Sequence, residues 1–178
     1  RKLKTCPIVW EIINRIRNVL HLNPDRIIIV NSTHQKLHLV ENGEIIRSFD
    51  VSTSRYGIGN REGSNMTPPG IHRIEEKIGK GAPCGRIFES RNDTGRNWHE
   101  GLVEDNLILT RILRLRGLEE GINSGPGIDS YERYIYIHGT NQENRIGKPN
   151  SHGCVCMRNQ DIIELFDLVE EGTIVFID

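Results

Sequence analysis

Neither sign of charge is in surplus: 23 Lys and Arg against 24 Asp and Glu leave a formal net charge of −1. That balance supplies no field for steering onto nucleic acid or an anionic membrane, so neither is an expected partner. No apolar run approaches the roughly 18 residues that span a bilayer, and no transmembrane segment is expected in the visible chain. Cysteine is scarce. Cys6, Cys84, Cys154 and Cys156 are too few in 178 residues for a disulfide-built scaffold, and Cys6–Cys84 is the one bridge left open. Internal repeats and low-complexity tracts are missing, which excludes a solenoid or a linker-rich chain. Residue 1 is arginine, not methionine. The chain reads as processed or trimmed, and a lost secretion signal would leave no trace in it.

What is present fits one globular domain. Hydrophobic residues are 36% and charged residues 26%, enough apolar surface at this length to build a full core. Residues 1–25 read as an amphipathic helix. Thr5 can cap it, and Val9, Ile12, Ile13, Ile16, Val19 and Leu20 recur at helical spacing until Asn23-Pro24 stops it. Such a stripe usually docks on a core; a membrane-surface role would need a longer, more basic helix.

From Arg26 the period changes to that of strands. Residues 27–30 are a β-branched run, Leu37 and Leu39 alternate with His38, Glu41-Asn42-Gly43 turns the chain, and 45–51 returns. Gly57, Gly59 and Gly63 nearly spell a dinucleotide fingerprint. The third glycine is one residue late and Thr67-Pro68-Pro69-Gly70 follows in place of a helix, so the phosphate-loop reading fails. Further strands are expected at 71–74, 107–115, 134–138 and 173–177. Asn159 can cap a last helix with the stripe Ile162, Leu165, Phe166, Val169, which Gly172 ends. The long glycine-rich tract 79–101, with Trp98, is the expected lid. The fold class is mainly β with flanking helices.

Two short segments concentrate the chemistry. In Tyr134-Ile135-Tyr136-Ile137-His138-Gly139-Thr140, alternation sends the isoleucines to one face and Tyr134, Tyr136 and His138 to the other. His138 then stands at a strand end, a rigid place for a base. In Ser151-His152-Gly153-Cys154-Val155-Cys156-Met157-Arg158-Asn159, a thiol follows a glycine that shields nothing. A cysteine needs a partner to become a thiolate at neutral pH. His138 and His152 are both candidates, and backbone N–H groups around Gly153 and Cys154 can meet an oxyanion. His138, His152, Cys154 and Cys156 are also ligand types for zinc. Cys-x-Cys spacing is tighter than usual for a tetrahedral site, so no metal is expected.

At these residues the chain resembles the L,D-transpeptidase catalytic domain, the YkuD family. His138-Gly139-Thr140 and Ser151-His152-Gly153-Cys154 carry the likeness. Residues 37–40, Gly43, Val51-Ser52-Thr53, Thr67-Pro68-Pro69-Gly70 and Asn159-x-Asp161 extend it across 26–178. The resemblance implies a YkuD-like β-sandwich and an enzyme of the cell envelope or periplasm acting on peptidoglycan stem peptides. It implies that Cys154 attacks the carbonyl before a terminal D-residue, with His138 as base and the Gly139 carbonyl orienting the imidazole. Ser151, His152 and Gly153 would shape the site and its oxyanion hole, and Tyr136 would touch substrate. An amine from another stem would resolve the thioester; water would make the enzyme an L,D-carboxypeptidase. No cofactor is implied, and carbapenem-type inhibition is.

One position departs from the pattern. Many members carry Arg or Asn two residues after the nucleophile, and here Cys156 stands there. An arginine at that place can hold a carboxylate, so Arg158 is the expected substitute, and Cys156 is either a packer or a second thiol. The same departure motivates a rival reading, a non-catalytic metal or binding module on this fold.

Overall fold

The computed structural model describes residues 7–178. Thr5 and Cys6, and with them the expected helix cap and the Cys6–Cys84 bridge, lie outside the described residues. Helix α1 (Pro7–Leu20) buries Val9, Ile12 and Ile16 against the outer face of the sheet, on Ile27, Ile29, Ile71 and Phe176. Val19, assigned to the stripe by its spacing, is 43% exposed. Arg15 fastens the helix through Glu119, 2.9 Å away, and lies over the Phe176 ring.

The strands are β1 (Arg26–Asn31), β2 (Lys36–Glu41), β3 (Glu44–Ser52), β4 (Gly70–Ile78), β5 (Arg86–Glu89), β6 (Asn92–Asn97), β7 (Ile108–Gly117), β8 (Tyr136–Gly139), β9 (Val155–Met157) and β10 (Ile174–Ile177). They form one sheet in the order β4-β10-β1-β2-β3-β9-β8-β7-β5-β6. The additional pairing of β4 with β7 closes it. A barrel therefore replaces the expected sandwich: one sheet meets itself, with no edge left between β4 and β7. All eight closing strands send apolar residues into a common core, from Ile28 of β1 and Leu39 of β2 to Leu113 of β7 and Val175 of β10. Helix α2 (Asn159–Leu168) adds Ile162, Leu165 and Phe166.

Tract 79–101 holds β5 and β6, a hairpin that hangs from the first half of β7 through the pairs Ile87↔Leu109 and Phe88↔Ile108. Its sequence is glycine-rich and polar because most of β6 faces solvent. Alternation was too weak there to be read as strand.

Two strand pairs run parallel, β1–β10 and β8–β9. Parallel neighbours need a crossover. The one between β8 and β9 contains the 3-10 turn Glu143–Arg145 and ends on Ser151-His152-Gly153-Cys154. It is stapled to the end of β3: Gly147 N–H donates to the Val51 carbonyl, and Asn150 and Ser151 N–H both donate to the Thr53 carbonyl.

His72, on β4, is fully buried between the Gly70 carbonyl and Ser130 Oγ, 3.0 and 2.8 Å away. Burial lowers its pKa to about 4 from 6.5. Below pH 6.5 the unfolded chain takes up a proton that the folded chain refuses, so stability falls as the pH drops towards 4, by about 3 kcal/mol. Urea melts at pH 7 and 4.5 should show that loss, and His72→Gln should remove most of this pH dependence.

Candidate active site

Strands β8 and β9 pair in the register Ile137↔Val155, His138↔Cys156 and Gly139↔Met157. Ile137, Val155 and Met157 face the core. Alternation then places His138, Cys156 and, one step before β9, Cys154 on the opposite face, where they line a common cavity.

His138 is 5% exposed, and its Nδ1 lies 2.6 Å from the Gly139 carbonyl. That contact is made if Nδ1 carries the proton, which leaves the Nε2 lone pair facing the cavity. Burial lowers the His138 pKa, partly opposed by the Gly139 hydrogen bond, so the imidazole is neutral at pH 7. Gly139 is required by space. A Cβ there would come within 2.4 Å of Asn159 Oδ1 and 2.6 Å of the Leu109 carbonyl. Asn159 is therefore a brace and not the expected helix cap. Its amide donates to the Thr140 carbonyl at 2.8 Å, and its Oδ1 accepts from Thr110 Oγ1 at 2.6 Å. Arg158 is the N-cap residue and makes no side-chain cap bond.

Burial pushes the Cys154 thiol up to about 11; the Tyr136 N–H and the Arg133 guanidinium oppose it. The sulfur is turned to backbone, accepting from Tyr136 N–H at 3.3 Å and lying 3.5 Å from the Tyr134 carbonyl. The thiol in contact with the imidazole is Cys156, with Sγ 3.8 Å from His138 Nε2. Burial and the adjacent Cys154 push the Cys156 thiol up as well. The resting site therefore holds neutral thiols and a neutral imidazole, not a thiolate–imidazolium pair.

The loop before Cys154 is shaped from within and from below. Ser151 Oγ donates to the Cys154 carbonyl and accepts from Gly153 N–H. Gly153 has φ +129, in the region that glycine alone adopts readily. Thr67 Oγ1 donates to the Gly153 carbonyl at 2.9 Å and accepts from Ser54 N–H at 3.0 Å. Thr67-Pro68-Pro69-Gly70 is thus a buttress of the cysteine loop as well as a turn. The Cys154 N–H makes no hydrogen bond to the described residues. His152 is exposed at the rim, tilted against Tyr56 at 6.1 Å between ring centroids.

Cys154 lies where two clefts meet. The first contains His138, Cys156 and Ser151, with Leu107, Ile108 and Ile146 as apolar wall. The second contains Glu62, Asn65, Glu132 and Arg133, and lacks His138. His152 borders both.

Three expected residues are placed elsewhere. Tyr136 is 3% exposed and packs with Phe88 and Ile112 under the site, its hydroxyl held by Arg91; its N–H reaches Cys154, its ring does not line the cavity. Arg158 lies outside both clefts because β9 ends at Met157, and its guanidinium pairs with Asp50 at 3.1 Å. Trp98 and the rest of 79–101 line neither cleft; residues 106–108 form that wall. Sequence reasoning passed over Arg145, Gln142 and Asn150, which do line the first cleft. The variable crossover that holds them carried no motif, and only its position between the two motifs marked it. Among the described residues no group of three or more His, Cys, Asp or Glu side chains is placed to hold a metal ion.

A family model, the L,D-transpeptidase catalytic domain YkuD, matches residues 25–177. The protein described as "Putative L,D-transpeptidase YqjB" of Bacillus subtilis (strain 168) is 46% identical over 153 residues, 86% of this chain and 71% of that protein. "Putative L,D-transpeptidase YkuD" of the same organism is 52% identical over 47 residues, 26% of this chain and 29% of that protein. Among solved structures, L,D-transpeptidase 3 from Mycobacterium tuberculosis with a faropenem-derived adduct aligns at TM-score 0.54 and 14% identity, over 88% of this chain and 61% of that one. An L,D-transpeptidase in complex with imipenem aligns at TM-score 0.54 and 18% identity, over 86% and 59%. The chain thus spans about three fifths of these two solved chains, and it shares their fold. With the family model covering all the strands and both sequence motifs, the chain belongs to the YkuD family of L,D-transpeptidase catalytic domains.

Proposed function

We propose that this domain is a peptidoglycan L,D-transpeptidase of the cell envelope, with Cys154 as nucleophile and His138 as base. The observation that carries the reading is the position of Cys154 at the junction of two clefts, one holding a neutral, tautomer-fixed imidazole. An acyl transferase needs room for a chain on one side of the nucleophile and a leaving group on the other. Cys156 borders the first cleft only, which favours Cys154 over it as the attacking sulfur.

Substrate binding turns Cys154 Sγ from the Tyr134–Tyr136 backbone towards Nε2. Nε2 takes the thiol proton as sulfur bonds to the carbonyl carbon of the stem peptide. The oxyanion meets the free Cys154 N–H. Collapse breaks the amide bond, His138 gives the proton to the departing D-amino acid, and a thioester remains. An amine from a second stem then attacks the thioester, His138 removes its proton, and the carbon–sulfur bond breaks as that proton returns to the Cys154 sulfur. Water in place of that amine gives the L,D-carboxypeptidase outcome from the same intermediate. Because both groups start neutral, activation is by proton transfer during attack, with no standing thiolate.

Incubation with tetrapeptide muropeptides should give direct crosslinks and free D-alanine by mass spectrometry. Hydrolysed tripeptide alone would assign the carboxypeptidase outcome instead. Cys154→Ala should lower either product about 10³-fold or more; undiminished turnover would remove Cys154 from the mechanism. The pH profile of kcat/KM should keep activity to a pH below 6.5, since the lowered His138 pKa delays protonation of the base, and should then fall as the imidazole takes a proton. An acid limb lying above 6.5 would contradict the buried-base assignment. Carbapenems should acylate the protein, and peptide mapping should place the adduct on Cys154 and not on Cys156, Cys84 or Cys6.

A further inference from the structure

His138 lines the first cleft and not the second. Given the proposed reaction, the departing amine must collect its proton from Nε2, so the terminal D-residue leaves through the first cleft. Its carboxylate is tied to that nitrogen through one carbon and lies about 3 Å from it by bond lengths. A charged carboxylate so close to the reaction centre needs a partner that offsets its lost hydration.

The cations that sequence and family pattern offer are not available. Cys156 stands where the pattern has Arg or Asn, and Arg158 is spent on Asp50. Arg133 lies in the other cleft, and its guanidinium donates to the carbonyls of Asn60 and Met66. Arg145 is the cation on the wall of the first cleft. Among the described residues its guanidinium makes no hydrogen bond or ion pair, although its backbone is held, the carbonyl accepting from Ser52 Oγ at 2.9 Å. The adjoining Ile146 is buried, and Gly147 N–H is bonded to Val51. A polar annex continues from the same wall and adds Arg55 and Asp105. Arg55 spends Nε and one terminal nitrogen on the Asn150 carbonyl, at 3.2 and 3.0 Å, and its other terminal nitrogen makes no hydrogen bond among the described residues. Asn150 is itself fixed, its amide donating to Gln142 Oε1 at 2.9 Å. Two guanidiniums and one carboxylate line the annex, so it carries a net positive charge.

We infer that Arg145, supported by Arg55, forms the subsite for the α-carboxylate of the terminal D-amino acid. The subsite takes over, from the crossover loop, the anchoring that Cys156 cannot perform. It rests on the transpeptidase reading and adds which residue reads the free carboxyl end.

The test compares two stem tetrapeptides, one ending in a free acid and one in a carboxamide, with release of the terminal residue followed by mass spectrometry. The wild type should prefer the acid by about tenfold or more in kcat/KM, chiefly through KM, as expected for a charge-assisted pair. Arg145→Gln should bring the acid-to-amide ratio to within about twofold of one, and Arg145→Lys should restore part of it. Lys148→Gln, which removes a nearby exposed charge outside both clefts, should keep the wild-type ratio. If the wild type processes acid and amide alike, or if Arg145→Gln retains the preference, the subsite falls and the transpeptidase reading stands. If the wild type acts on neither peptide, both fall.

Discussion

The parallel pairing of β8 with β9 is the contact on which the site depends. His138 and Cys156 are 18 positions apart in the chain and become direct neighbours only in that register. The pairing is secured from the core side, where Ile137, Val155 and Met157 are fully buried. Slipping β9 by one residue would turn Val155 and Met157 outwards and bury both thiols in the apolar core. Hydrophobic packing, which has no chemistry of its own, therefore sets the geometry of the reactive groups. The closed barrel adds to this. β7 is held on one edge by β8 and on the other by β4 and β5, so the strand beneath the imidazole has no free edge along which to shift.

The second control is desolvation. Burial alone raises the Cys154 thiol and lowers the His138 imidazole, and each shift favours the uncharged form. The opposing hydrogen bonds, from Tyr136 N–H to the sulfur and from Nδ1 to the Gly139 carbonyl, moderate these shifts without reversing them. The same bonds have a geometric role: one parks the sulfur, the other leaves Nε2 free to accept. Cys156 fills the space beside Nε2 in the meantime. Being driven further towards the protonated form than Cys154, it sits against the imidazole as a thiol and not as a thiolate.

Much of the site was legible because its residues sit in short, local patterns. Alternation around 134–138 separated His138 from the core isoleucines. The glycines beside the two reactive residues marked close approaches, which the spacing of Gly139 to Asn159 and the φ of Gly153 account for. The failures have equally local causes. Arg158 looked like the substitute for the missing Arg or Asn, but β9 stops at Met157 and the chain turns into α2, taking the guanidinium to Asp50. Asn159 looked like a cap because that is what asparagine does at exposed helix starts. Here it is 5% exposed, and the buried Thr140 carbonyl claims its amide. The hairpin in 79–101 was hidden by its solvent-facing composition, and residues 106–108, which follow it, took the place beside the cleft that it was expected to hold.

By itself the sequence determined the mainly β class, the helices at the flanks, and the identity of Cys154 as a motif thiol and of His138 as a strand-end imidazole. These follow from periodicity and short motifs, which act between residues close in the chain. Only the tertiary structure decided that the sheet closes into a barrel, that Cys154 stands at a junction of two clefts, and that Thr67 supports its loop. It alone put Arg145, and not Arg158, on the wall of the reactive cleft. Each of these depends on which distant segments share a buried boundary, and the burial that sets both pKa values exists only once that boundary has formed.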